Sequence, residues 1–286
     1  MARTDTLGHF LTDVADAIRE KKGSSDTIQA SDFDTEIENL PSGGDLSEYF
    51  DTTINSNSFK AVNYLKKTPS FVITSDVTSL GYIFERYNAV SNSHETIITG
   101  DVSNVTSVAS MFRDAQDMFY ITLQNLDFSH LTSLALMFYN ASQNKLRNFN
   151  IVLGITTSNK LENIRYLFHN CNQTTTITGL ENINTTNCNN FENAFYQCRA
   201  LTNLDLSSWE TTVSFICNNM FYGCTALAHL DMRKFLFTDA TNFGNMFTNV
   251  PTTCEIIVKD ATQKTWFSTN FPSYTNVKTV EEYEAE

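Results

Sequence analysis

The stretch Ala194–Met232, AFYQCRALTNLDLSSWETTVSFICNNMFYGCTALAHLDM, carries one text twice. Phe195-Tyr196-x-Cys198-x-x-Leu201-x-x-Leu204-Asp205-Leu206 returns 26 residues later as Phe221-Tyr222-x-Cys224-x-x-Leu227-x-x-Leu230-Asp231-Met232. Extended outward on the phenylalanine, the register finds anchors at Phe84, Phe112, Phe138, Phe168, Phe195, Phe221 and Phe247, spaced by 28, 26, 30, 27, 26 and 26 residues. A repeat of this length is one supersecondary unit that cannot bury its apolar face alone, so the units must stack.

Apolar or small residues recur seven, four and one positions before the anchor and three after it, as in Leu131, Leu134, Met137 and Ala141 around Phe138. That spacing predicts one amphipathic helix of about 3.6 residues per turn in each unit. Nine and eleven residues after the anchor, apolar positions alternate with polar ones, as in Ile121 and Leu123 or Leu204 and Leu206, which predicts a strand with one buried face. The expected fold is an α/β solenoid of about seven helix-plus-strand units, with parallel strands on one wall and helices on the other.

The register also places the cysteines. Cys171, Cys198 and Cys224 share the small slot after the anchor, and Cys188 and Cys217 fill apolar slots, so five of six are expected as reduced core residues. Cys254 alone lies outside the register, and no CxxC pair is present. The composition has 37 Thr and 30 Asn against 18% charged residues, a polar surface that is only sparsely ionic. A net charge of −13 disfavours nucleic acid and anionic membranes as partners. No apolar run reaches membrane-spanning length, and the start of the chain has no secretory signal pattern.

At the front, Leu7, Phe10, Leu11, Val14 and Ile18 fall on one helical face, and a second short helix is expected between Thr27 and Leu40, ahead of Pro41-Ser42-Gly43-Gly44. Residues 1–44 are thus read as a helical docking or oligomerisation module, too small to be stable alone. Residues 45–76, with alternation at Phe59, Val62, Tyr64, Phe71 and Ile73, are read as a β-rich N-terminal cap, residues 77–260 as the repeats and 261–286 as a C-terminal cap. In that tail a strand at Glu255–Val258, a helical segment with Trp266 and a strand near Val277 are expected.

The pattern L-x-x-L-D-L-S-x-W from Leu201 to Trp209, followed by M-F-x-x-C-x-x-L from Met220 to Leu227, resembles the leucine-rich repeats of the BspA-like class, including related repeats of mycoplasma surface proteins. The resemblance implies a leucine-rich-repeat stack that binds partners through its repeat surface. The front segment, LTDVADAIREKKGSSDTIQASDFDTEIENLPSGG, resembles the N-terminal part of phage tail, baseplate and fibre proteins. That second resemblance implies docking on other virion proteins through residues 1–44, a location on the phage particle and a homo-oligomer.

No HExxH, GxSxG, Walker or GxGxxG motif is present, and the five histidines are scattered. No catalytic residue, cofactor or metal ligand is therefore assigned. His169, which occupies the slot of Tyr139, Tyr196 and Tyr222, is read as an exposed helical residue. Asp205 and Asp231 fall in one slot of successive units, where stacked carboxylates could hold calcium, serve as an acid/base pair or simply bond the next turn's backbone.

The candidate binding face is the outward side of the strand ladder: Tyr120, Thr122, Thr176, Thr178, Asn203, Asp205, His229 and Asp231, with Asn148 and Asn150 read after a two-residue shift of register. Its amides and hydroxyls suit a host-surface glycan or the edge of a host protein. The expected function is a non-enzymatic phage structural protein, part of a tail, baseplate or head fibre or decoration, that adheres to the host cell. A cellular BspA-like adhesin or interaction module is the alternative, and a glycan-degrading enzyme a remote one.

Overall fold

The computed structural model describes residues 53–54, 70–84, 95–115, 120–141 and 149–286. The docking helix expected at Leu7, Phe10, Leu11, Val14 and Ile18, and the β-cap positions Phe59, Val62 and Tyr64, lie outside the described residues. Residues 53–286 belong to one compact unit.

That unit is a parallel β-solenoid of about six coils. Six strands, β1 (Thr53–Ile54), β2 (Ser70–Ile73), β3 (Glu95–Gly100), β4 (Tyr120–Asp127), β5 (Phe149–Thr156) and β6 (Thr174–Thr178), pair in chain order in one parallel sheet. Next come β7 (Asn203–Asp205), β8 (Phe215–Ile216), β9 (His229–Asp231), β10 (Ala240–Asn242), β11 (Glu255–Val258), α1 (Ala261–Asn270), β12 (Val277–Thr279) and α2 (Val280–Glu284). The strands β7, β9, β11 and β12 form a second parallel sheet, and β8 pairs with β10. Thr, Ile and Val make up half of β5 and all of β6, as a pleated, half-buried ladder favours.

The expected helix in each unit is not an α-helix. Around Phe138, the amides of Leu134, Leu136, Phe138 and Asn140 donate across to Asn163, Arg165, Leu167 and His169 of the next coil, at 2.8–3.1 Å. The intervening amides of Met137, Tyr139 and Ala141 donate three residues back, to Leu134, Leu136 and Phe138. Each coil therefore contributes a run of linked turns, and every second amide joins a ladder parallel to the strands. An α-helix would bond all of these groups four residues back and leave none for the neighbour.

Backbone conformation fixes the difference. Two residues before the anchor φ is positive at Tyr82, Ser110, Leu136, Tyr166, Asn193, Asn219 and Asn245; two after it, at Asp114, Asn140, Asn170, Gln197, Gly223 and Asn249. A left-handed residue every fourth position stops a right-handed helix, while apolar side chains spaced by three and four still face inward. The stripe that predicted a helix is thus the inner face of stacked turns.

The core is correspondingly columnar. The seven anchor rings stack face to face at centroid separations of 5.1, 5.0, 5.4, 5.3, 5.8 and 5.5 Å, with interplanar angles of 4–24°. Burying one such side chain contributes about 1.5–3 kcal/mol. Beside them Cys171, Cys198 and Cys224 point S–H groups at the carbonyls of Phe138, Phe168 and Phe195 of the preceding coils, each at 3.1 Å. Burial pushes the Cys171 and Cys224 thiols up to about 12. Cys254 is buried as well, so all six are free core thiols.

The last coil closes on aromatic side chains. Phe247 meets Phe267 and Phe271 at 5.1 and 5.0 Å, and the Tyr274 hydroxyl donates to the carbonyls of Phe247 and Val250. Asp260 caps α1 by accepting from the Gln263 amide, and Thr279 with Glu282 forms a capping box at α2.

Candidate recognition surface

Strand register places the candidate residues. Tyr120 pairs with Asn150 and Asn150 with Thr176; Thr122 pairs with Val152 and Val152 with Thr178. These are two outward columns of the first sheet, because Ile121, Leu123, Ile151 and Leu153 point into the core. The insertion before β5 shifts the register by four residues, not two. Asn150 therefore sits in the Tyr120 column and Val152 beside Thr122, while Asn148 lies outside the described residues. The two columns contain more apolar surface than the sequence suggested, with Tyr120 44% and Val152 37% exposed.

The second sheet behaves differently. Asn203 pairs with His229 and Asp205 with Asp231, as the shared slots required. Asp231, however, is only 4% exposed, and its carboxylate takes three guanidinium hydrogen bonds from Arg233 at 2.7–3.1 Å. Asp205 accepts from the Ser207 amide at 2.9 Å. Burial acts to raise the Asp205 carboxyl, but the Ser207 hydrogen bonds outweigh it and leave the group below its usual range. With one carboxylate filled by a guanidinium, the pair does not fit calcium. Among the described residues no three His, Cys, Asp or Glu side chains cluster as metal ligands.

The chain's own tail covers this end of the ladder. His229 Nδ1 lies 2.8 Å from Glu255 Oε2, and Glu255 pairs with Lys278, whose ammonium also meets Glu286. Lys278 first, then His229, holds the Glu255 carboxyl below its usual range. Arg233 reaches Glu284 of α2, and Tyr283 packs over both His229 and Arg233. His229 and Asp231 are thus structural partners of the C-terminal segment, while Asn203 and Asp205 of β7 stay exposed, as do Tyr120, Val152, Thr176 and Thr178 on the first sheet.

A second ordered surface runs along the turn wall, one position after the anchors. Tyr139, His169, Tyr196 and Tyr222 stack at 4.6, 4.7 and 4.9 Å with nearly parallel rings, and the Arg113 guanidinium lies 5.8 Å from the Tyr139 centroid. His169, expected as exposed on a helix, is half-buried between two tyrosines on a turn. Burial lowers its pKa to about 4. The shared slot of these four residues was visible in the sequence; their stacking was not, because helices of neighbouring units would pack about 8–10 Å apart, too far for ring contact.

These features define a repeat protein of the parallel β-solenoid class. The comparisons with known proteins narrow this. The chain matches the family described as "Mycoplasma protein of unknown function, DUF285" over residues 52–175 and 142–260, and it belongs to that family. No curated protein and no solved structure matches it.

Proposed function

We propose that the chain is a non-enzymatic recognition protein of a phage particle, a tail, baseplate or head fibre or decoration element. Residues 1–44 dock on other virion proteins, and the coils, read as BspA-like repeats, present a surface to the host cell. The observation that carries this reading is the open outward face of β4–β6. It sets Tyr120, Asn150, Val152, Thr176 and Thr178 on a parallel ladder at a pitch of about 4.8 Å, mixing hydroxyl, amide and apolar groups with no formal charge. Such a face suits hydrogen bonding and C–H contact with a glycan or a protein edge, and several copies on a particle would multiply weak contacts by avidity, roughly 100-fold or more.

Particles assembled with a chain lacking residues 1–44 test the docking. The expected result is a folded solenoid absent from the particles; normal incorporation contradicts it. The family's description as mycoplasma proteins favours a second reading, a cellular surface adhesin using the same face. Finding the chain on cell envelopes in the absence of any particle would select that reading.

A further inference from the structure

Two positions after each anchor the side chains form their own ladder. Asn140 Nδ2 donates to Asp114 Oδ1 at 2.9 Å, and Asn170 Nδ2 to Asn140 Oδ1 at 3.0 Å. Gln197 and Asn249 continue the column, but between them stands Gly223. The backbone there runs as in neighbouring coils: the Gln197 amide donates to Tyr222 at 2.7 Å and the Gly223 amide to Thr248 at 2.8 Å. Only a side chain is missing. The Gln197 carboxamide leans over Gly223, 3.0–3.4 Å from where a Cβ would stand, and beside it opens a surface cavity of about 460 Å³ lined by Gln197, Arg199, Gly223, Thr225, Asn249 and Pro251.

The lining has a defined chemistry. Arg199 Nε donates to Gln197 Oε1, which holds the guanidinium at the rim. No carboxylate lines the cavity, and among the described residues Arg199 has no acidic partner, in a chain of net charge −13. Thr225 and Asn249 add an exposed hydroxyl and amide, and Val250 and Pro251 an apolar flank.

We propose that this cavity binds a hydroxylated monocarboxylate, an acidic sugar residue of the hexuronate type. The single guanidinium pairs the carboxylate through two parallel N–H bonds. The Gln197, Asn249 and Thr225 groups meet ring hydroxyls, and Pro251 with Val250 faces the C–H side of the ring. The volume falls in the range of small-ligand sites, about 300–1,000 Å³. This assignment rests on the reading of the chain as a host-surface recognition protein and adds, apart from the β4–β6 face, a site with a named ligand class.

Titration of the full chain with sodium glucuronate, followed by NMR, tests the proposal. Gly223→Asn is the decisive variant. Asparagine occupies the corresponding position of other coils at similar φ, and the nearest atoms to a new Cβ, at 3.0 and 3.1 Å, belong to the flexible end of Gln197. The variant should fold normally and narrow the cavity by pushing the Gln197 carboxamide into it. Arg199→Gln provides an independent test outside the turn. The expected result is saturable glucuronate binding to the wild type, weakened roughly ten-fold or more in both variants with unfolding temperatures unchanged, and weaker binding of neutral glucose. Absence of saturable binding, undiminished binding to Gly223→Asn, or tighter binding of glycerol phosphate than of glucuronate would each overturn the inference. Cell adhesion that persists without glucuronate binding overturns the inference and leaves the adhesive function standing. Glucuronate binding that both variants lose, in a chain that adheres to no cell, supports the site and removes that function.

Discussion

Gly179 shows how little room single residues have in a stacked coil. It holds φ at 83°, and a Cβ added there would lie 2.2 Å from the Leu153 carbonyl oxygen of the preceding coil. Gly179→Ala is expected to cost about 1–3 kcal/mol, read as a lower midpoint in urea unfolding, because both the left-handed conformation and the close approach oppose it. His169 offers a titratable counterpart. Its pKa falls from 6.5 to about 4 on burial, so between those values the unfolded chain binds the extra proton. Stability should be fully present above pH 6.5 and decline as pH falls toward about 4. Unfolding temperatures measured across that window, with His169→Tyr as the comparison, check the assignment: the tyrosine variant keeps the stack and should lose this part of the pH dependence.

At the scale of elements, the turn ladder is where sequence and structure part. Period, strand alternation and the inward set of residues were legible, since Leu134, Met137, Phe138 and Ala141 are buried whether the backbone is a helix or a chain of turns. Helix and turn ladder share the three-and-four spacing, so hydrophobic periodicity could not separate them. The distinguishing signal was polar. Asn193, Asn219 and Asn245 before the anchor, and Asn140, Asn170, Gly223 and Asn249 after it, are poor helix formers that tolerate positive φ. The strand columns were half legible: the slots shared by Asp205 and Asp231 predicted their pairing, but not that Arg233 would neutralise one of them. That contact depends on a side chain two residues along the same coil and on Glu284 of α2, which no repeat pattern encodes. Substitution at Asn219, where φ is 55°, tests the turn ladder directly. Asn219→Gly should be nearly neutral and Asn219→Val should cost about 1–2 kcal/mol by denaturant unfolding. A helical site would give the opposite order, with glycine the worse of the two or no better.

Across the whole molecule, the separation of surfaces matters more than any one residue. The C-terminal end of the second sheet is tied down by the Glu255–Lys278 pair between β11 and β12 and by Arg233 reaching Glu284 of α2, while Asn203 and Asp205 of β7 stay exposed. Over β4–β6 the first sheet keeps an outward face of hydroxyl, amide and apolar groups, with the exposed Asp127 at the end of β4. The low ionic content of the chain thus has a structural location, in ladders of Thr and Asn that hydrogen-bond coil to coil, as Thr106 to Thr78 and Thr212 to Thr186 do. A stack built this way is rigid along its axis and offers side chains at fixed intervals, which is the property an adhesive surface exploits.

The central claim, that this open face recognises a host surface, is tested most directly by saturation binding of labelled full-length chain to host cell envelopes. The wild type is compared with a variant carrying Tyr120→Asp, Val152→Asp and Thr178→Asp together, after both show the same unfolding temperature. Saturable binding of the wild type, reduced roughly ten-fold or more in the variant, is the expected result. Equal binding by the two chains, or binding that never saturates, would contradict it.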